Sequence, residues 1–451
     1  MKAQNLLLFF IYYLLSHHAF SQKTGGGELN PGIYTNQKSI ERFNDLRYGL
    51  SVHWGPNVIA GKEISWSRGK ETPKAEYDAF YRQFNPTQFN ADEWVKLMED
   101  FGMKYVIITA KHHDGFSIWH SAYSEYDIAA TPFKRDILKE LSDACQKKGI
   151  VFGTYYSTLD WYHPDYQPYG KGGPGDLFPT SQDTPNQNRY WIYAKNQIRE
   201  LITTYHSQLI QFDGDWDPTW THQIGSDMYL YIRKLNDAVL VNSRTDKGRN
   251  PPPPYSKKEP WRADIFAGDF EERERFTSNL SQETPNLLSK STNPWQAWVT
   301  VDKSQWSWKP NPTLLSPKEI IVDLVQTVGS GGNYLINIGP RADGTFEPVI
   351  IANMKEVGKW VKAHSDAIFG TRGGDFVEEG KFTSTQKGNK THFFVFDDTI
   401  EQITLRSNNR KVRSIKNDLG QSVVFKQTDE TILVKLPKNK GDFLRVFTLS
   451  Y

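Results

Sequence analysis

Polar and aromatic side chains gather where the apolar runs of this chain end. One run closes on His53-Trp54-Gly55, the next on Lys111-His112-His113-Asp114-Gly115, and a third carries Tyr155-Tyr156-Ser157 and leads to Asp160-Trp161. Later runs close on Phe212-Asp213-Gly214-Asp215-Trp216, Asn242-Ser243-Arg244 and Gly268-Asp269-Phe270. Three chemistries can be built from such residues. His53, His112, His113 and Asp213 are possible metal ligands, but adjacent residues on a strand point to opposite faces, which sets His112 and His113 against sharing an ion unless the strand has ended before them. A Ser-His-Asp nucleophile is disfavoured because no G-x-S-x-G turn occurs and Ser157 lacks the strand-to-helix context. Glycoside hydrolysis needs one ionised and one protonated carboxyl group. Asp213 and Asp215 stand at one run's end, and Asp269, Glu271, Glu272 and Glu274 follow another. Taken singly, each has a bland explanation: a helix cap, a solvated Glu/Arg face, an ion pair at Arg244. Their joint placement favours the paired-carboxylate chemistry.

The elements that must position these residues alternate. Candidate strands are Arg47–Gly55, Tyr105–Lys111, Ile150–Ser157, Gln208–Phe212, Ala238–Asn242, Ile265–Phe270 and Asn333–Ile338. Helical spacing separates them, as in Asn90–Gly102, where Trp94, Leu97 and Met98 share a face, and in Arg135–Gly149, with Ile137, Leu138 and Leu141. Such alternation predicts a parallel α/β fold, and a (β/α)8-like barrel fits the length better than a doubly wound sheet, since no Gly-rich phosphate loop opens a helix. A barrel would bring all these strand ends to one rim. The long stretches 162–189 and 245–261 would lie on that rim too. After about residue 370, short alternating segments such as Thr391–Phe396, Ile403–Arg406, Ser422–Lys426 and Thr431–Leu436 predict a small antiparallel β-sandwich. The expected division is a signal peptide at 1–21, a catalytic barrel at 22–368 and a sandwich at 369–451, the last in a structural role.

Composition bounds the function. Lys+Arg and Asp+Glu nearly cancel, 54 against 52, and no basic face appears, which argues against nucleic acid. Aromatic residues are abundant, with 14 Trp, 22 Tyr and 26 Phe, suiting either a large core or stacking on sugar rings. Lys2, the apolar stretch Leu6 to Leu15 and Ala19-Phe20-Ser21 have the layout of a cleavable signal. The stretch is too short for a membrane anchor, so an exported protein, periplasmic or secreted, is expected. Cys145 is the only cysteine and reads as a helical core residue.

With these motifs in place, the chain resembles the α-L-fucosidases of glycoside hydrolase family 29 over roughly residues 40 to 370. The resemblance rests on Tyr48-Gly49-Leu50-Ser51-Val52-His53-Trp54-Gly55, His112-His113-Asp114-Gly115-Phe116, Tyr155-Tyr156-Ser157, Phe212-Asp213-Gly214 and the run from Gly331 to Pro340. It implies a retaining exo-glycosidase acting on terminal α-L-fucosyl linkages of glycans, with Asp213 as nucleophile. His53, Trp66, His112, His113, Tyr155, Arg244 and Trp306 would bind the sugar. Counting from Asp269-Phe270 as in one subgroup places the acid/base at Glu274, with Glu271 second. The Trp-Glu pair of another subgroup reads Trp295-Gln296 here, and an amide cannot serve as the acid. Ser65 replaces the Glu before Trp66, and Gln211 stands where Trp is common. Neither a metal nor an organic cofactor is expected. The alternatives are a related sugar, such as a β-galactoside, and a catalytically silent carbohydrate-binding protein.

Overall fold

The computed structural model describes residues 24–166, 186–247, 265–274, 293–438 and 443–451. The signal-like segment, Pro251–Pro254 and the middles of both long loops lie outside the described residues. Eight parallel strands form one curled sheet: β1 (Tyr48–Val52), β2 (Tyr105–Lys111), β3 (Val151–Ser157), β4 (Leu209–Asp213), β5 (Leu240–Val241), β6 (Glu271–Glu274), β7 (Trp295–Thr300) and β8 (Asn333–Asn337). Their spatial order is β5-β4-β3-β2-β1-β8-β7-β6. The two ends of that order meet through a parallel bridge between Asn242 and Phe270, and Asp269 N donates to Val241 O at 2.9 Å. The sheet is therefore the expected (β/α)8-like barrel, sewn shut at β5 and β6 by a minimum of main-chain pairing.

Local signals explain the helices. In α2 (Ala91–Phe101), which follows α1 (Gln37–Leu46), the Asn90 side chain accepts from Glu93 N and Gly102 ends the helix at φ 79°. A left-handed residue costs glycine little, which is why the helix stops there. Trp94, Val95, Met98 and Phe101 are its buried stripe. The helices α3 (Ile137–Lys148), α4 (Gln187–Thr203), α5 (His222–Leu235), α6 (Pro317–Gly329) and α7 (Pro348–Ala363) complete the shell among the described residues. Cys145 is buried in α3, and burial pushes its thiol up to about 12, so it behaves as a small apolar side chain.

Strand alternation makes two cores. Val106, Ile108, Tyr156, Ile210, Phe212, Val299 and Ile336 face the helices. Tyr105, Ile107, Tyr155, Leu209, Leu240, Trp298 and Leu335 face the barrel axis, with Phe43 of α1 and Phe270 below them. Above this inner floor, Tyr105 donates to Gln296 Oε1 at 2.8 Å and Gln296 Nε2 to Gln211 Oε1 at 3.2 Å.

Two sequence expectations are corrected here. The sixth barrel strand is Glu271–Glu274, and within the expected Ile265–Phe270 only Ala267–Gly268 is a strand, pairing antiparallel with Gly25–Gly26. The run Glu-Glu-Arg-Glu has a solvated composition, but its inward carboxylates meet Arg244 and its outward Arg273 lies over the Trp295 ring at 4.1 Å. Trp295–Thr300, β7, has no place among the predicted strands because apolar residues occupy both its faces, masking the period of two.

After α7 come two antiparallel sheets of five and three strands. Phe393, Val395, Phe447 and Leu449 of one sheet pack on Ile403, Leu405, Ile432 and Val434 of the other, giving a sandwich. Phe394 and Val446, on the opposite face, join the barrel's outer core. Arg47 secures this junction. It is buried, and its guanidinium donates to Gly331 O at 2.6 Å, Gly332 O at 2.9 Å and twice to Thr371 O. Burial, together with nearby Arg372, lowers its pKa to about 9. Arg47→Met strands those carbonyls without donors and is expected to cost about 2–4 kcal/mol. Thermal unfolding should register this as a lowered midpoint, with the residual activity per folded molecule retained.

Candidate active site

The nucleophile candidate sits on the last residue of β4. Asp213 Oδ2 accepts from Tyr155 OH at 2.7 Å, and Oδ1 accepts from Gly214 N at 2.8 Å and from Arg244 Nη1 at 2.7 Å. His113 Nε2 lies 3.7 Å from Oδ2. Burial by itself would raise the pKa of this carboxyl. Arg244 foremost, then His113, Tyr155 and the Gly214 amide, outweigh it and hold Asp213 below the usual aspartate value.

Arg244 lies in the short turn Ser243–Thr245 that follows β5. Its guanidinium is shared by four carboxylates. Besides Asp213 it reaches Asp215 Oδ1 at 3.4 Å, Glu272 Oε1 at 2.8 Å and Glu274 Oε2 at 2.5 Å. Glu272 and Glu274 are two apart on β6 and so share its inward face. Glu271 belongs to the other face and pairs with Arg273 at 3.1 Å. Asp269 also stays out of the pocket: it accepts from Thr35, Tyr229 and Val241 N across the β5–β6 seam. One guanidinium therefore spans Asp213 and Glu274, and the other carboxylates of the sixth-strand region turn elsewhere, except Glu272.

The histidines come together as the sequence suggests, with one difference. β2 ends at Lys111, so His112 and His113 lie beyond the strand and are not forced to opposite faces; their ring centroids are 4.2 Å apart. Gly115 makes the turn at φ 83°, where a Cβ would fall 2.2 Å from Asp160 Oδ1. His53 completes the set, 5.6 Å from His112 and 5.3 Å from Tyr155 by ring centroids. Burial lowers all three imidazoles, His53 and His113 to about 4 and His112 further, so at neutral pH they are uncharged. Among the described residues no group of three or more His, Cys, Asp or Glu is arranged to hold a metal ion.

Aromatic walls enclose this polar centre. Trp306 packs on His53 at 5.1 Å and on Trp298 at 4.5 Å. Glu63 fixes the Trp306 segment by accepting the amides of Trp306 at 2.7 Å and Ser307 at 3.1 Å. Trp66 meets His113 at 5.4 Å and Trp161 at 5.3 Å on the other side. Exposed Trp216 leans on Trp66 at 6.0 Å. Sequence reasoning did not place Trp298 or Glu63 in the site, and it named Glu272 only among the candidate carboxylates, without a role. Counting inward in twos from Gln296 and from Phe270 would have found Trp298 and Glu272.

Comparison with known proteins shows the family. The family model for alpha-L-fucosidase matches residues 23–366. The chain belongs to the α-L-fucosidase family. It is 28% identical over 386 residues to the tissue alpha-L-fucosidase of Rattus norvegicus, covering 78% of this chain and 76% of that one. Among solved structures it is similar to alpha-L-fucosidase isoenzyme 1 of Paenibacillus thiaminolyticus, with a TM-score of 0.79, 28% identity and coverage of 92% and 99%. It is also similar to a family 29 alpha-L-fucosidase from Bacteroides thetaiotaomicron, trapped as a covalent intermediate with 2-fluoro-fucosyl fluoride, with a TM-score of 0.80, 28% identity and coverage of 95% and 99%. The protein is accordingly a glycoside hydrolase.

Glu272 supplies a pH test. Burial first, and then the charges of Asp213 and Glu274, push its carboxyl up to about 8 against the opposing pull of Arg244. A group that binds its proton more tightly folded than unfolded stabilises fully below the unfolded pKa, and that contribution is lost as pH rises towards the folded one. Stability from this group should thus decline between about pH 4.5 and pH 8. In Glu272→Gln the decline should flatten; unfolding midpoints that fall as steeply as in the unmodified protein would assign the pH dependence elsewhere.

Proposed function

We propose that this enzyme releases terminal α-L-fucose from fucosylated glycans by double displacement, with Asp213 as nucleophile and Glu274 as acid and then base. The observation that carries the roles is the single Arg244 guanidinium bonded to both carboxylates, with Asp213 kept ionised. A retaining enzyme needs its two carboxyl groups about 5–5.5 Å apart, and bonding to one guanidinium keeps Asp213 and Glu274 close neighbours. In the first step Asp213 attacks the anomeric carbon while Glu274 gives its proton to the departing oxygen. In the second, Glu274 takes a proton from water, which displaces Asp213 from the sugar. His53, His112, His113 and Tyr155 orient hydroxyl groups, and Trp66 and Trp306 border the apolar ring surface. Every one of these groups belongs to the chain, and the steps balance without a metal or organic cofactor.

The family and the pocket favour α-L-fucosides over β-galactosides, and the ionised Asp213 favours a working enzyme over a silent binder. Catalysis is assigned to residues 22–368, with 369–451 supporting the barrel. Among the described residues no helix is long and apolar enough to cross a membrane. The signal-like N-terminus supports export to the periplasm or the medium.

Two experiments test the roles. Asp213→Ala should lose at least about 10³-fold in hydrolysis of an aryl α-L-fucoside, about 4 kcal/mol of barrier. Added azide should restore turnover and yield the β-linked fucosyl azide; an α-linked product would exclude the retaining route. Glu274→Gln should slow substrates with poor leaving groups by about 10²–10⁴-fold and activated aryl fucosides far less. Glu271→Gln should stay within about twofold on both. Reversal of that pattern would transfer the acid/base role to Glu271.

A further inference from the structure

Each of the three pocket histidines has its Nδ1 held by a buried neutral side chain, and the holders differ. His53 Nδ1 lies 2.8 Å from Asn337 Oδ1. The Asn337 amide is oriented twice over, because its Oδ1 accepts the His53 main-chain N–H at 3.0 Å and its Nδ2 donates to Trp306 O at 2.6 Å. An amide oxygen only accepts, so neutral His53 must carry its proton on Nδ1 and leave Nε2 as an acceptor.

At His112 and His113 the polarity reverses. His112 Nδ1 lies 2.6 Å from Ser65 Oγ, which accepts the Asp114 amide at 2.9 Å. His113 Nδ1 lies 2.6 Å from Ser157 Oγ, which accepts the Leu159 amide at 3.0 Å. An amide N–H cannot receive a proton, so each buried hydroxyl has only the imidazole to donate to. Nδ1 is then the acceptor, and the ring proton sits on Nε2. The contact between His113 and Asp213 agrees: an Nε2–H at 3.7 Å from Oδ2 attracts the carboxylate, where a lone pair would repel it.

We infer that the pocket has a fixed hydrogen-bond polarity, one imidazole acceptor at His53 beside two imidazole donors at His112 and His113, set by Asn337, Ser65 and Ser157 as positioning residues. Its consequence for recognition rests on the fucosidase function proposed above. The hydroxyl that meets His53 must donate, while those that meet His112 and His113 must accept. A polyol ligand satisfies both demands, whereas a fluorine in place of the hydroxyl at His53 cannot donate and leaves Nε2 without its partner.

Histidine-selective ¹⁵N labelling of the full chain near neutral pH tests the assignment directly through long-range ¹H–¹⁵N correlations, with each ring identified by loss of its signals in the single His→Gln variant. The expected spectrum shows His53 protonated on Nδ1, the minority tautomer in water, and His112 and His113 protonated on Nε2. The same tautomer on all three rings, or mixtures at any of them, would overturn the proposal. In Ser157→Ala the His113 ring should become a tautomer mixture, and kcat/KM for fucosyl fluoride should fall about tenfold. Ser157→Thr, which keeps the hydroxyl, should recover most of both. An alanine variant with the unmodified spectrum would remove Ser157 from the role. Absence of turnover by the unmodified enzyme would instead defeat the fucosidase function while the spectrum still decided the tautomers.

Discussion

A guanidinium buried among carboxylates is the constraint to which the rim of this barrel answers. Removing an arginine from water is costly, and only close, hydrogen-bonded counter-charges offset that loss. Arg244 has four within reach, which is more negative charge than one cation balances. Part of the excess is relieved by a proton, and the burial of Glu272 makes it the carboxyl that keeps one. Asp213, with Tyr155 and Gly214 also donating to it, retains its charge. Two carboxyl groups around one cation thus stand in unlike protonation states, Asp213 ionised as a nucleophile must be and Glu272 protonated because it is buried.

Strand alternation delivers these groups to one place. On two inward faces the side chains become more polar towards the C-terminal ends, from Leu209 through Gln211 to Asp213 and from Phe270 through Glu272 to Glu274. The apolar floor, closed below by Phe43, keeps bulk water out from beneath, and the tryptophans limit it from the sides. Electrostatic interactions inside such an enclosure are screened less than at a surface, so small errors of placement are costly. That explains why the polar side chains carrying no charge, such as Asn337, Ser65 and Ser157, are as fully committed to hydrogen bonds as the charged ones.

Much of the fold was legible in the chain because its signals were local. Asn90 and Gly102 bracket α2, and β2 begins and ends where its apolar run does. Asp213, Arg244 and the histidines stood out because polar residues closing apolar runs are unusual. The signal failed where composition and environment part company. Glu271–Glu274 has the chemistry of a solvated face, and only Arg244, some thirty residues earlier, makes it a buried strand. Trp295–Thr300 sets Trp298 on the same face as Gln296 and Thr300, which hides its alternation. The argument against His112 and His113 sharing an ion holds only while the strand continues, and the strand ends at Lys111.

The barrel's closure at β5 and β6 has a mechanical meaning. Elsewhere the wall is a continuous ladder, but among the described residues the main chains here meet at one bridge and one bond, and the remaining ties are made by the side chains of Asp269, Asn242, Ser243 and Arg244. Arg244 lies on one lip of that closure and Glu272 and Glu274 on the other. Opening it by a few ångströms would break few main-chain hydrogen bonds but would part the cation from Glu272 and from the proposed acid/base, while leaving Asp213 on its own strand. Proteins open locally at their weakest cooperative unit before they unfold as a whole. Were this seam the first unit to open, the proposed catalytic carboxylates would part with it, and loss of activity on heating would precede loss of the fold and reverse when the wall re-formed.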